Sequence, residues 1–438
     1  MNSNTKQIHK EILKTLAFIL PYIIVEFTNT ILVIIDKSIS NSIGKTAIIV
    51  FSSFITLNWA INTIQTCLSQ SHNIVLVRDK QNMKNINTTG LFIEFFSSII
   101  VSIILFACAE KITYVYQLEN DARNILTILL KLKAIQLPLV SVGYIAKNDL
   151  KVKEKTKQIF IIMLISSIIN IGGDIISVKF RYNEIGIYIA TIISTIVNTI
   201  LLFIVSKFKI GKVTKQYFIE IIKYGKDLIF NKVVQRIVNI WYTSIASSFG
   251  TRVYAIHCAC IAVPDTFCEI INGYYSGLVI KYSYDIEEKE KNLIKKVDMI
   301  QLYGIGFSII ILAIAVYPTW WILSSSIPWN ECNPYIWFYS LEFIAEVISI
   351  NYRAYLSANK DTKAIRNMAL IGGICVRMPL ALIIQYFNVG LIGLSFICFI
   401  DRLVRASYLR LYIQKNKNKV KYKNKERENC VSIIWKSS

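Results

Sequence analysis

Carboxylates and amides interrupt long apolar stretches of this sequence at helical spacing. Asp36 closes the apolar run in ILVIIDKSISNSIG (31–44), and Asn29 lies seven residues earlier, two turns back on the same face. Asn170 and Asp174 are four apart and share a face. Asp265 and Glu269 are one turn apart, as are Glu342 and Glu346. An ionised carboxylate deep in a lipid-spanning helix costs about 2.5–3.5 kcal/mol on insertion scales, so it persists where it is paired, protonated or used. Asp36 beside Lys37, and Asp174, read either as residues at the outer headgroup level or as functional groups within the membrane. The four acids 265, 269, 342 and 346 read in two ways. They bond to one another or to Lys232 and Arg236, or they make a cavity negative enough for cationic, partly apolar substrates. Trp241, Tyr242 and Tyr274 would add cation–π contacts to such a cavity.

Apolar runs that are hydrophobic all round must position these groups. The 438-residue chain is 54% hydrophobic and 18% charged, with a mean hydropathy of +0.47. Runs such as FIEFFSSIIVSIILFAC (92–108) and GIGFSIIILAIAVYPTWWILS (304–324) are of the length that crosses a hydrocarbon core of roughly 30 Å. Backbone groups in lipid must be satisfied within the segment, which makes the runs helices. Twelve spans are predicted, at 14–36, 47–72, 88–108, 122–145, 158–178, 185–206, 222–247, 253–280, 299–324, 333–357, 364–385 and 388–412.

With the N-terminus in the cytoplasm, the alternating spans put 36 of the 49 Lys and Arg residues on the inner side. The outer loops hold only Lys37, Lys45, Lys111, Arg123, Lys179, Arg181 and Arg252. This is the positive-inside asymmetry, and it assigns the net charge of +21 to the membrane surface rather than to nucleic acid. The tail KNKNKVKYKNKER (415–427) reads as a solvated segment beside anionic headgroups. No cleavable signal peptide is evident. The nine Cys form no CxxC pair and read as small, buried, reduced thiols, while His9, His72 and His257 are too scattered for a metal site. GxxxxGK[ST], HExxH and GxSxG are all absent, which argues against ATP as direct fuel and against a membrane enzyme.

The two halves echo each other. SIGKTA (42–47) pairs with SFGTRV (248–253), and EKTK (154–157) with KDTK (360–363), both at an offset of 206; NEIGIYIA (183–190) pairs with NVGLIGLS (388–395) at 205. The expected organisation is all-α and integral to the membrane, with twelve transmembrane helices in two pseudo-symmetric six-helix bundles around a central cleft. The bundles are 1–206 and 222–412, with a basic cytoplasmic linker at 207–221 and a basic cytoplasmic tail at 413–438. Rocking halves suit a two-fold repeat better than a channel does.

Ordered motifs carry a resemblance over nearly the whole chain. They are Pro21 followed by IIDKSISNSIG, LISSIINIGGDII (164–176), IGIYIATIIS (185–194), SFGTRVYAIHCA (248–259), YLSANKDTK (355–363), VRMPLAL (376–382) and IDRLVR (400–405). Together they resemble the multidrug and toxic compound extrusion (MATE) transporters of the flippase superfamily. The resemblance implies that Asp36, with Asn29 on its stripe, shares an ion-coupling pocket with Asn170, Asp174 and the hydroxyl of Thr191. Such hard oxygen ligands suit a small cation, and paired carboxylates equally hold a proton. It also implies departures. Gln235 stands where one branch of the family has a glutamate and Glu346 where it has an aspartate, so a second cation site there is in doubt. Glu26 stands where the family usually has an amide; Lys131 and Lys133 read either as its partners or as snorkelling side chains.

The function implied is a secondary active antiporter that exports organic cations in exchange for H⁺ or Na⁺. The substrate would meet Glu346, Glu342, Asp265, Glu269 and Gln235. No cofactor beyond the coupling ion is expected. The expected partners are membrane lipid and a small-molecule organic cation, with no nucleic acid, and the protein is expected to be a monomer. The expected location is the plasma (bacterial inner) membrane, multi-pass, with both termini cytoplasmic. The alternative is a flippase for a lipid-linked oligosaccharide or peptide, whose cleft would carry cations for a pyrophosphate; Lys232, Arg236 and Arg377 are the candidates.

Overall fold

Twelve long helices account for nearly all of the described residues. A computed structural model describes residues 3–43, 45–114, 120–288, 293–324 and 327–434, and no strand occurs among them. The helices are α1 (Ser3–Ile43), α2 (Lys45–Arg78), α3 (Met83–Thr113), α4 (Asn120–Val152), α5 (Thr156–Lys179) and α6 (Asn183–Ser206). They continue with α7 (Lys215–Ser248), α8 (Thr251–Glu287), α9 (Leu293–Ser324), α10 (Trp329–Ala358), α11 (Thr362–Tyr386) and α12 (Leu391–Ile434). Eleven predicted spans fall inside these helices, and the twelfth helix begins three residues later than predicted. The helices outrun the spans because polar ends continue the hydrogen-bonded ladder beyond the apolar stretch: at about 1.5 Å per residue, α1 exceeds a hydrocarbon core of roughly 30 Å. The 207–221 linker is shorter than predicted, since α7 already starts at Lys215.

Among the described residues, eight helices are long and apolar enough to cross a membrane, and the chain is a multi-pass membrane protein. The four that fall short are α2, α7, α10 and α12. These four carry many of the polar side chains of the clusters described below. Lipid tails give helices little hydrophobic reason to associate, so close packing and interhelical hydrogen bonds hold such bundles.

The contacts divide the chain into two compact units. The first is Met1–Arg236 with Asp265–Lys296, and the second is Ile237–Pro264 with Val297–Ser438. The division falls within α7 after Arg236 and within α8 at Pro264, whose ring removes a helix hydrogen bond. In the first unit α3 packs on α4, α5 on α6, and α4 on both α2 and α6. One apolar cluster joins Val50, Phe54, Leu105, Leu126, Leu130 and Tyr188; another joins Val25, Ala146, Leu150, Ile159, Met163 and Leu202. In the second unit α10 packs along α12, and α12 along α11.

The internal repeat is written in the turns. Between α4 and α5 the Glu154 N–H bonds to Lys151 O and the Lys155 N–H to Leu150 O; between α10 and α11 Lys360 bonds to Ser357 and Asp361 to Leu356. Glu154 and Lys360, 206 residues apart, both have φ 59°. The same closure recurs at Arg181 (φ 59°) and Asn388 (φ 53°), with Tyr182 bonding to Ser177 and Val389 to Ile384. This third pair therefore aligns at 207, not at 205: Ile185-Gly186 corresponds to Ile392-Gly393.

Candidate functional site

The polar side chains of the first unit converge from α1, α2, α4, α7 and α8 on a cavity of about 310 Å³. Lys147 and Lys151 lie four apart on α4 and face Glu26 of α1. Glu26 Oε1 accepts from Lys147 Nζ at 3.0 Å and lies 3.6 Å from Lys151 Nζ. The Tyr22 hydroxyl, one turn before Glu26, donates to Lys151 O at 3.0 Å and pins α1 to α4. Lys232 and Arg236 enter from α7, again four apart, and Glu269 from α8. The Arg236 guanidinium stacks 4.0 Å over the Trp59 ring, and both Lys232 and Arg236 act on Glu269. Asn62, Asn73, Asn148 and Asn272 add neutral donors and acceptors. Four cations thus face two acids among the lining residues, and Asp265 of α8 also acts on Arg236, which leaves a surplus of one positive charge.

The predicted partners of Glu26 are corrected here. Lys131 and Lys133 do not reach it; Lys133 Nζ bonds instead to Gln136 Oε1 at 3.1 Å, in a chain that continues to Tyr188 and Thr195. Glu26 looks toward the C-terminal end of α4, about four to five turns beyond Lys133.

A second cavity of about 360 Å³ shares Tyr144 and Lys147 with the first. It is lined by Asn170, Thr191, Ser194 and Asn198. Asn170 Nδ2 donates to Asp174 Oδ2 at 3.3 Å and Ser194 Oγ donates to Asn170 Oδ1 at 3.2 Å, so α5 and α6 hold the amide in a fixed orientation. The Thr191 hydroxyl donates to Ile187 O of its own helix at 3.2 Å. Asp174 is fully buried. Gly173 lets α6 approach here: a Cβ at 173 would sit 2.5 Å from the Cβ of Ala190. Asn29 and Asp36 belong to α1, but their side chains lie outside the described residues.

The remaining substrate candidates divide between the units. Asp265 and Glu269 belong to the first, where both act on Arg236. Gln235 Nε2 donates to Asn231 Oδ1 at 3.0 Å, within its own helix. Glu342 and Glu346 belong to the second unit, and arginines of that unit are their partners there. Glu346 accepts from Arg353 Nη1 at 2.8 Å and from Arg402 Nη1 at 2.7 Å. Glu342 accepts from Arg402 Nε at 3.0 Å, with Arg377 Nη2 at 3.6 Å. Asp401 is bracketed by Arg405 (2.6 and 2.8 Å) and Arg377 Nε (2.8 Å). Three acids and four guanidinium groups make this cluster. Arg377 ends a π-helical segment, Leu370–Arg377, whose wider turn sets its reach. Within that segment a side chain at Gly372 would collide with Asp401 and Arg405. Of the expected aromatics, Tyr242 carries the resident Arg377 over its ring at 5.5 Å, and Tyr274 is buried.

Lys147 and Lys151, like Arg353, Asp401, Arg402 and Arg405, were not singled out from the sequence as site residues. Their signal was present as spacing: 147/151 and 401/405 are one turn apart, and 346/353 two turns. Four of the described thiols depart from expectation: Cys258 and Cys375 are exposed, and Cys108 and Cys268 are half-buried. Among the described residues no His, Cys, Asp and Glu group is arranged to hold a metal.

Comparison with known structures gives the class. The chain superimposes on a MOP superfamily transporter from Pyrococcus furiosus, described as having a binding pocket of reverse polarity. The TM-score is 0.82 at 13% identity, over 93% of this chain and 96% of that one. The bent form of the Vibrio cholerae MATE transporter VcmN matches with TM-score 0.80 at 14% identity, over 94% and 98%. An outward-facing multidrug resistance MATE family transporter matches with TM-score 0.80 at 13% identity, over 92% and 95%. At these identities the likeness establishes the fold, which is that of the MATE transporters of the MOP superfamily. A comparison with curated protein sequences finds no match. The family model described as "Polysaccharide biosynthesis protein" matches residues 60–301, more than half of the chain, and the chain belongs to that family.

Proposed function

We propose that the chain moves an anionic, lipid-linked saccharide across the plasma membrane, holding its diphosphate between Lys147, Lys151, Lys232 and Arg236. The observation that carries this reading is the cavity's surplus of positive charge. A prenyl diphosphate sugar brings about two negative charges and several acceptor oxygens, matching two lysine point charges on α4 and an Arg fork beside a lysine on α7. The asparagines suit sugar hydroxyls. Membership of a polysaccharide biosynthesis family supports the same substrate class.

A second reading, export of organic cations in exchange for H⁺ or Na⁺, is favoured by the Asn170–Asp174–Ser194 constellation beside Thr191. It is weakened by Glu342 and Glu346, whose charges are already met by arginines. The two readings share an ion-responsive pocket and differ in the charge of the cargo. The test is to titrate the full chain in neutral detergent with farnesyl diphosphate and with tetraphenylphosphonium. Farnesyl diphosphate should bind, more weakly at higher salt, and Lys232→Ala and Arg236→Ala should each weaken it about tenfold, or ~1.4 kcal/mol. Binding of tetraphenylphosphonium alone would favour the second reading.

A further inference from the structure

We propose that Glu26 is a specificity-determining residue: a resident anion that occupies the phosphate site and excludes singly charged phospholipid headgroups. The inference rests on the anionic-substrate reading above. A carboxylate and a phosphodiester present the same face to a lysine pair, two equivalent oxygens sharing one negative charge. Glu26 already supplies that face, 3.0 Å from Lys147 Nζ and 3.6 Å from Lys151 Nζ. All three side chains are shielded, at 18%, 14% and 9% exposure, so neither lysine can rely on water for its countercharge.

The consequence is a competition between unequal partners. Glu26 is tethered to α1, and a tethered group acts at an effective concentration in the millimolar range or above. A phosphodiester from a bulk phospholipid would exchange one monoanion for another and lose that advantage. A diphosphate carries a second charge and can extend from the Lys147–Lys151 pair to Lys232 and Arg236, which line the same cavity. Only the more highly charged headgroup gains by displacing the carboxylate. When the cargo leaves, Glu26 returns to the lysines, so the empty site does not strand buried cations. The other acids facing this region are Glu269 and Asp265 of α8: Lys232 and Arg236 act on Glu269, and Asp265 acts on Arg236. The lysines of α4 are therefore left to Glu26.

The test compares wild type, Glu26→Gln and Lys232→Ala, each as the full chain in neutral detergent, for binding of farnesyl diphosphate with and without dioleoyl phosphatidylglycerol as competitor. In wild type the phospholipid should not displace farnesyl diphosphate. In Glu26→Gln, farnesyl diphosphate should bind about tenfold tighter, phosphatidylglycerol should now compete, and selectivity should fall at least tenfold. A second readout needs no variant. A carbodiimide should couple Glu26 to Lys147 in the free wild-type chain, and farnesyl diphosphate should suppress that cross-link. If wild type binds farnesyl diphosphate and Lys232→Ala weakens it, while Glu26→Gln leaves selectivity unchanged or the cross-link persists with ligand bound, this inference is wrong and the functional reading survives. If wild type binds no farnesyl diphosphate, both fall.

Discussion

Replacing Glu346 with Gln separates a structural from a substrate-binding role for the buried acids of α10. The residue is 6% exposed, and its two oxygens accept from different arginines, Arg353 at 2.8 Å and Arg402 at 2.7 Å. Gln keeps the volume and one acceptor. Its amide nitrogen, however, faces a guanidinium N–H donor to donor, so one charge-assisted bond is lost, worth about 1.5–3 kcal/mol. The cluster also moves from three acids against four arginines to two against four. Breaking a buried pair by removing one partner costs about 3–5 kcal/mol, and the retained acceptor places this change near 3. At roughly 2 °C per kcal/mol for a large chain, the apparent melting temperature in detergent should fall by about 6 °C. Tryptophan fluorescence during heating measures it. Adding Arg353→Met to Glu346→Gln should recover part of the loss, because the stranded cation is removed with its partner. A melting temperature unchanged within about 1 °C, with loss of affinity for a cationic drug, would refute this reasoning and return Glu346 to the substrate.

Gly173→Ala should separate α5 from α6 next to Asp174, lowering stability by about 1–3 kcal/mol, and Ala190→Gly in the same chain should restore it. Thermal melts of the single and double variants check this. Asp174→Asn should abolish gradient-driven transport while leaving a folded, inserted protein; proteoliposomes with H⁺ and Na⁺ gradients imposed separately provide the assay. Asp149→Asn should destabilise the first unit by about 3 kcal/mol, because Asp149 ties Asn87 of α3 (2.7 Å) to Lys153 (2.5 Å). The melting temperature should drop without loss of farnesyl diphosphate affinity in the protein that remains folded.

The fold was legible wherever one physical constraint dominated. Lipid forces helices on runs such as 92–108. The turns were half legible. Their repeat shows in EKTK and KDTK, yet the left-handed positions are filled by Glu154, Arg181 and Lys360 rather than by Gly, so composition could not locate them, and the third pair was misaligned by two residues. The site was legible only within single helices. The spacing of Asn170 and Asp174 put them on one face, and there the amide donates to the carboxylate. Glu26 illustrates the limit: its lysines lie on another helix, and rotation and depth, which spacing does not encode, selected Lys147 and Lys151 over Lys131 and Lys133. The same limit applies to Glu346, where Arg402 comes from a separate helix. The less apolar character of α2, α7, α10 and α12 was readable in the sequence, and these helices supply six of the seven charged residues of the second cluster and Lys232 and Arg236 of the first.

The central claim is that this chain carries an anionic lipid-linked cargo, and transport tests it most directly. Proteoliposomes of the purified full chain, loaded with a fluorescent short-chain prenyl diphosphate sugar in both leaflets, would be probed for label reaching the outer leaflet, with ethidium movement followed in parallel. The account predicts protein-dependent movement of the diphosphate sugar, reduced about tenfold or more by Arg236→Ala, and little movement of ethidium. Ion-driven movement of ethidium that Arg236→Ala leaves unchanged, with the diphosphate sugar stationary, would contradict it.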